Sequence, residues 1–147
     1  MHEQIKCDLD AYIRSYFQIE KKDIRSYSPL ALAYIGDGIY ELVIRSLLVG
    51  GGNAQAGRLH RKASQLVNAG AQADMLERIR GELTEEELHV FKRGRNANSP
   101  TVAKHATVSD YRKATGFEAL MGYLYLTGNM KRLTELIKLG LEELHAV

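Results

Sequence analysis

Two acids in this chain sit in apolar company beside glycine. Asp37 lies in Leu30-Ala-Leu-Ala-Tyr-Ile-Gly-Asp37-Gly-Ile-Tyr-Glu41-Leu-Val-Ile44, apolar almost all round, with Gly36 and Gly38 on either side. Glu118 lies in Gly116-Phe-Glu118-Ala-Leu-Met-Gly122-Tyr-Leu-Tyr-Leu, with Gly122 one turn later on the same helix face. A glycine inside a helix costs ~0.5–1 kcal/mol relative to alanine. A helix that keeps glycine beside an acid is one where another backbone or a ligand comes close. Two such helices packed at their glycines put both carboxylates within reach of one hard cation. Without a cation, two buried like charges repel and one pKa rises. The plain alternatives for both acids are structural capping and surface placement.

Thr115 and Tyr111 fall on the Glu118 face one and two turns earlier, so Thr115 can support a ligand shell through its hydroxyl or a water, or simply pack. Asp37, Glu41 and Arg45 form an i, i+4, i+8 stripe. Its ordinary reading is an exposed strip with a Glu41–Arg45 ion pair, and its functional reading puts Glu41 in support of Asp37. The five histidines, His2, His60, His89, His105 and His145, are scattered, and none pairs with another at metal-ligand spacing. The single Cys7 excludes an internal disulfide framework and a multi-cysteine zinc site, and it suits a reducing, cytoplasmic address.

The net charge of +2 hides a segregation. From Leu42 to Ala73 there is no acid, while Arg45, Arg58, Arg61 and Lys62 contribute +4. Arg58, Arg61 and Lys62 fall at i, i+3 and i+4 and make one helix face basic. From Lys92 to Lys113 six basic residues stand against Asp110 alone. Lys92, Arg93, Arg95, Asn96, Lys104, His105 and Arg112 are the candidates there for phosphate contact, with the Arg58/Arg61/Lys62 face as a second element. The competing reading is a solvated charged surface.

These residues need elements to hold them, and the composition supplies helices. The 147 residues include 19 Leu and 15 Ala against two Pro, which favours helices over a β-sandwich or barrel. Hydrophobic residues at 45% exclude a disordered chain, and no apolar run approaches a membrane span. The polar start, Met1-His2-Glu3-Gln4, lacks a signal-peptide pattern. Helical spacing predicts a first helix over Glu3–Glu20. Ser28-Pro29 starts a second, running to about Leu48 and stopped by Gly50-Gly51-Gly52. Asn53 is the expected cap of a third, to Val67, and a fourth covers Ala71–Arg80. Thr84 and Glu87 form a capping box for a fifth, to Arg95. Residues 96–108 read as a loop; Ser109 is the expected cap of a sixth helix to Thr127, and Asn129 that of a seventh. The fold class is all-α, one small helical domain.

The same segments resemble a known family. Leu-Ala-Tyr-Ile-Gly-Asp37-Gly is similar to the signature helix of ribonuclease III domains, and Phe-Glu118-Ala-Leu-Met-Gly-Tyr-Leu-Tyr-Leu to that family's second acidic motif. Lys92-Arg-Gly-Arg-Asn-Ala-Asn-Ser99 and Tyr111-Arg-Lys-Ala-Thr115 narrow the resemblance to the Mini-III ribonucleases, the short branch without a separate double-stranded-RNA-binding domain. It covers about Ser28 to Glu143.

The resemblance implies a ribonuclease III endonuclease-domain-like helical bundle at residues 28–147, with residues 1–27 as an N-terminal helical extension. It implies a homodimeric endoribonuclease that hydrolyses double-stranded RNA with Mg²⁺, for which Mn²⁺ can substitute, and that matures the ends of precursor 23S ribosomal RNA. A ribosomal protein on that RNA is a further partner it allows; no membrane is involved. Asp37 and Glu118 match the family's metal-binding acids. Larger family members carry further acids where this chain has Ala33 and Thr115. Two readings stay open beside it: a non-catalytic ribonuclease-III-like RNA-binding or ribosome-associated protein, and a helical protein-interaction module.

Overall fold

The computed structural model describes residues 8–98 and 107–145, and every regular element within them is helical. The α-helices are α1 (Leu9–Tyr16), α2 (Pro29–Gly50), α3 (Ala56–Val67), α4 (Ala69–Ile79), α5 (Glu85–Arg95), α6 (Val108–Leu126) and α7 (Met130–His145). Single 3₁₀ turns stand at Ile24–Ser26 and Arg80–Glu82. The all-α expectation holds. Among the described residues no helix is long and apolar enough to cross a membrane.

Helix α6 is the axis of the bundle. It is apolar nearly all round from Ala114 to Tyr125, so it needs neighbours on every side. α2, α4, α5 and α7 supply them. The core where they meet holds Tyr40 and Ile44 of α2, Leu76 and Ile79 of α4, Phe91 of α5, Phe117 and Leu120 of α6, and Leu133 and Leu136 of α7. Tyr40 packs edge-on against Phe117 with ring centroids 5.1 Å apart, and its hydroxyl donates to the Leu66 carbonyl at 3.0 Å. A buried hydroxyl thus finds its acceptor at the end of α3.

Several helix starts are those the sequence predicts. The Ser28 hydroxyl accepts from the Ala31 N–H at 3.1 Å, with Pro29 in the first turn. At Thr84 the capping box closes both ways: the hydroxyl accepts from the Glu87 N–H at 3.1 Å, and the Thr84 N–H donates to Glu87 Oε1 at 2.9 Å. Glu87 has a second task. Its carboxylate takes Arg132 Nε at 2.8 Å and Nη2 at 2.9 Å, tying α5 to α7. The arginine fork holds the Glu87 carboxyl below its usual range against the opposing effect of burial.

Other boundaries differ. The first helix begins at Leu9, because Asp8 caps it by accepting from the Ala11 N–H at 3.2 Å, and it ends at Tyr16, just before Gln18 turns to φ 57°. Gln55, not Asn53, precedes α3, and it makes no side-chain cap bond. Asn68 starts α4 two residues early by accepting from the Ala71 N–H at 2.8 Å. Thr107 takes the role expected of Ser109, accepting from the Asp110 N–H at 3.0 Å, so Ser109 lies inside the first turn of α6. At α4 and α6 the helix starts where a side-chain oxygen, of Asn68 or Thr107, accepts from a first-turn N–H.

Candidate active site

Helices α2 and α6 cross at glycine. A Cβ built on Gly36 would stand 1.7 Å from the Glu118 carbonyl oxygen, and one on Gly122 would stand 2.0 Å from the Leu32 carbonyl oxygen. The two backbones touch, and no side chain larger than hydrogen fits at either point. Asp37 follows Gly36, and Glu118 carries the very carbonyl that Gly36 rests on, so the two acids arrive at the crossing together. Gly38 differs from the expectation that both flanking glycines admit a close neighbour. A Cβ there meets nothing within 4 Å. Gly36 serves the helix crossing, and Gly38 leaves open space beside the exposed Asp37.

The electrostatics follow from this packing. Glu118 is half-buried, and its carboxyl is pushed up to about 8. Burial is the largest cause. The negative charge of Asp37 adds to it, as does a hydrogen bond with Asp37 that favours the protonated form of Glu118. Gln72, on α4, acts the other way and favours the ionised carboxylate. The Gln72 side chain is buried and its Nε2 has no hydrogen-bond partner at normal geometry, so the bond through which it acts on Glu118 is a long one.

This donor set fits a hard divalent cation. Two carboxylates held so close that one keeps its proton near neutrality lack a positive charge between them, and the open side at Gly38 gives access to water and substrate. Among the described residues, no group of three or more His, Cys, Asp or Glu side chains gathers at one point. A cation held here would have two protein carboxylates and would draw its remaining ligands from water and substrate, as Mg²⁺ commonly does.

Thr115 is buried beside the pair on α6, with its hydroxyl proton donated to the Tyr111 carbonyl at 3.0 Å. Its lone pairs remain for a water or ligand. Glu41 is drawn the other way: its Oε2 accepts from Arg45 Nη2 at 2.6 Å, the ion pair of the ordinary reading. No described hydrogen bond or ion pair links Glu41 to Asp37 or Glu118.

Arg58, Arg61 and Lys62 are all exposed on α3, and Arg58 and Lys62 line a cavity of about 300 Å³ with Leu47, Gly52 and Asn53. Lys92, Arg93 and Asn96 are exposed at the C-terminal end of α5. Arg95 is half-buried there, stacking over the Phe91 ring at 5.5 Å and donating to Asn96 Oδ1 at 3.1 Å. Cations at a helix C-terminus also complement the helix dipole, so this cluster has a structural use of its own. Arg112 is exposed on the first turns of α6, whereas Lys113 is engaged with Glu77 of α4 at 3.3 Å. Lys104 and His105 lie outside the described residues.

The family model of the ribonuclease III domain matches residues 30–129, which include all four diagnostic segments. The chain belongs to the ribonuclease III family. That domain makes it a nuclease, a hydrolase. The chain is similar to Mini-ribonuclease 3 of Clostridium tetani, 46% identical over 131 residues that span 86% of this chain and 87% of that protein. Mini-ribonuclease 3 of Enterococcus faecalis is 53% identical over 118 residues, spanning 79% of this chain and 89% of that one. A crystal structure of a Fusobacterium nucleatum protein superposes with a TM-score of 0.75 at 34% identity, over 83% of this chain and 98% of that one.

One residue of this ribonuclease III domain escapes a motif reading. Gln72 is in helical register with Leu76 and Ile79, so it puts a polar amide on the core face of α4. A lone amide in that register is the signal that identifies it.

Proposed function

We propose that the chain is an endoribonuclease that cleaves double-stranded RNA by Mg²⁺-dependent phosphodiester hydrolysis, with Mn²⁺ able to replace Mg²⁺. The observation that carries this reading is the pair of carboxylates forced together at the Gly36–Gly122 crossing, with Glu118 raised to about 8 by burial and by Asp37. The catalytic unit is residues 28–147, with residues 1–27 as an extension.

A bound Mg²⁺ supplies charge neutralisation at the phosphate and a water acidified toward neutral pH. Asp37 and Glu118 would hold it, with the Glu118 carboxyl proton released to water. Thr115 and Glu41 support the shell through water. The rigid α2–α6 crossing fixes the separation of the two acids before substrate arrives. Lys92, Arg93, Arg95, Asn96, Lys104, His105 and Arg112 bind the duplex, with Arg58, Arg61 and Lys62 as a second contact. A-form RNA is read by shape and phosphate contact, which suits a basic surface on a chain with no tryptophan for stacking single strands.

The protein works as a homodimer with one site per strand. Support comes from α2, where Tyr34 is 84% exposed and Leu42, Leu47 and Val49 are also exposed. The substrate is precursor 23S ribosomal RNA in the cytoplasm, with a ribosomal protein on that RNA as a further partner. Incubating the purified chain with long duplex RNA and with single-stranded RNA, each with Mg²⁺ or chelator, tests the reading. Fragments are expected only from the duplex with Mg²⁺. An intact duplex that is nevertheless bound would favour the non-catalytic RNA-binding reading, and no binding at all would favour a protein-interaction module.

A further inference from the structure

The described part of this molecule holds one buried side-chain polar atom without a partner, and it lies next to the candidate metal centre. Gln72 is 1% exposed, in a row with Leu76 and Ile79, where a leucine would fill the same volume without a polar atom. A buried amide N–H without an acceptor is unfavourable and needs a compensating use. The acceptor at hand is the Glu118 carboxylate, on which Gln72 already acts. A Glu118 oxygen turned toward α4 would give this amide the acceptor it lacks and leave the other oxygen for Asp37 and a cation.

We propose that Gln72 is a positioning residue for the metal centre: its Nε2–H donates to one Glu118 oxygen and so turns the other oxygen toward Asp37 and the cation. This rests on the Asp37–Glu118 reading above. The residue type fits the task. An arginine or lysine would neutralise Glu118 and compete with the cation, and an acid would repel it. A neutral amide orients the carboxylate without cancelling its charge. Outer-shell partners of this kind commonly contribute 10- to 100-fold to metal affinity. Because the donor comes from α4, a third helix is recruited to a site otherwise built from two.

The test is a calorimetric titration of the full chain with Mn²⁺, with no RNA present. Gln72→Met, of similar volume and unbranched, is expected to bind Mn²⁺ 10- to 100-fold more weakly. Its melting temperature in chelator should equal or exceed that of the unsubstituted chain, because an unpaired buried donor has gone. In cleavage assays the Mg²⁺ concentration for half-maximal rate should rise by the same factor, with KM for duplex RNA at saturating Mg²⁺ unchanged. Gln72→Leu serves as a second variant and should behave alike. Mn²⁺ affinity within twofold of the unsubstituted chain in either folded variant overturns the proposal. So does a loss of affinity accompanied by a lower metal-free melting temperature in both, which marks a structural role. Glu118→Gln is the control: if it keeps full Mn²⁺ affinity, the metal reading itself fails, whereas its loss alongside unaffected Gln72 variants refutes only the role of Gln72.

Discussion

Replacing Glu118 with Gln is expected to stabilise the metal-free protein while removing its activity. The folded Glu118 carboxyl sits at about 8, raised from an ordinary 4.5 by burial and by Asp37. A raised acid holds its proton more tightly when folded. The stability this gives is fully present below about pH 4.5 and is lost as the pH climbs through about 8. At roughly 1.4 kcal/mol per pH unit, the upper bound of that loss is about 5 kcal/mol. The side chain is only half-buried, and solvent screening reduces the figure to about 2 kcal/mol. For a chain of this size that corresponds to about 4–8 °C in melting temperature. The assay is thermal unfolding in chelator, followed by circular dichroism, at pH 5 and pH 8. Glu118→Gln should melt higher than the unsubstituted chain at pH 8 and close to it at pH 5. Added Mg²⁺ should raise only the unsubstituted chain and narrow the gap, because binding to the folded state alone stabilises it. Equal melting at pH 8, or the same gap at both pH values, would refute the reasoning.

Three further expectations follow from the same packing. Gly36→Ala places a methyl against the Glu118 carbonyl and should cost about 3 kcal/mol or more in denaturant unfolding, whereas Gly38→Ala, with open space, should stay within ~1 kcal/mol of the parent or gain stability. Arg132→Met strands the buried Glu87 carboxylate and should cost about 2–3 kcal/mol at pH 7 by the same measurement. That loss should shrink at low pH, because a carboxyl held below its usual range contributes stability above that range and loses it as the pH falls. Replacing Arg93 and Arg95 with Gln should weaken duplex binding and flatten its salt dependence, by about one unit of log–log slope per phosphate contact removed; an unchanged slope in a filter-binding titration would exclude this helix end from the interface.

The fold was legible where one signal had no competitor. Ser28-Pro29 and Thr84/Glu87 are paired cap signals, and both helices start where those residues place them. Asn53 and Ser109 are single cap residues with rivals nearby, and Gln55 and Thr107 precede the helices instead. The first helix is short because Asp8, in its interior by periodicity, proves to be its cap. At the site, the acid–glycine pairing was enough to bring Asp37 and Glu118 together, since only glycine permits that crossing. Which glycine did so was not legible, because Gly36 and Gly38 are equivalent in sequence and differ only in the face they occupy. Gln72 was hidden for the opposite reason. Its importance lies in burial and an absent partner, which appear only once α4 is set against α6. Glu41 and Arg45 form the ion pair that their i, i+4 spacing indicates.

The central claim is that Asp37 and Glu118 together hold the ion that cleaves duplex RNA. Its most direct test is the rate at which Asp37→Asn and Glu118→Gln cut one long duplex in saturating Mg²⁺, with folding checked by thermal melts. Both variants are expected to bind the duplex and remain folded yet produce no fragments. Cleavage by either variant at the rate of the unsubstituted chain would contradict the account.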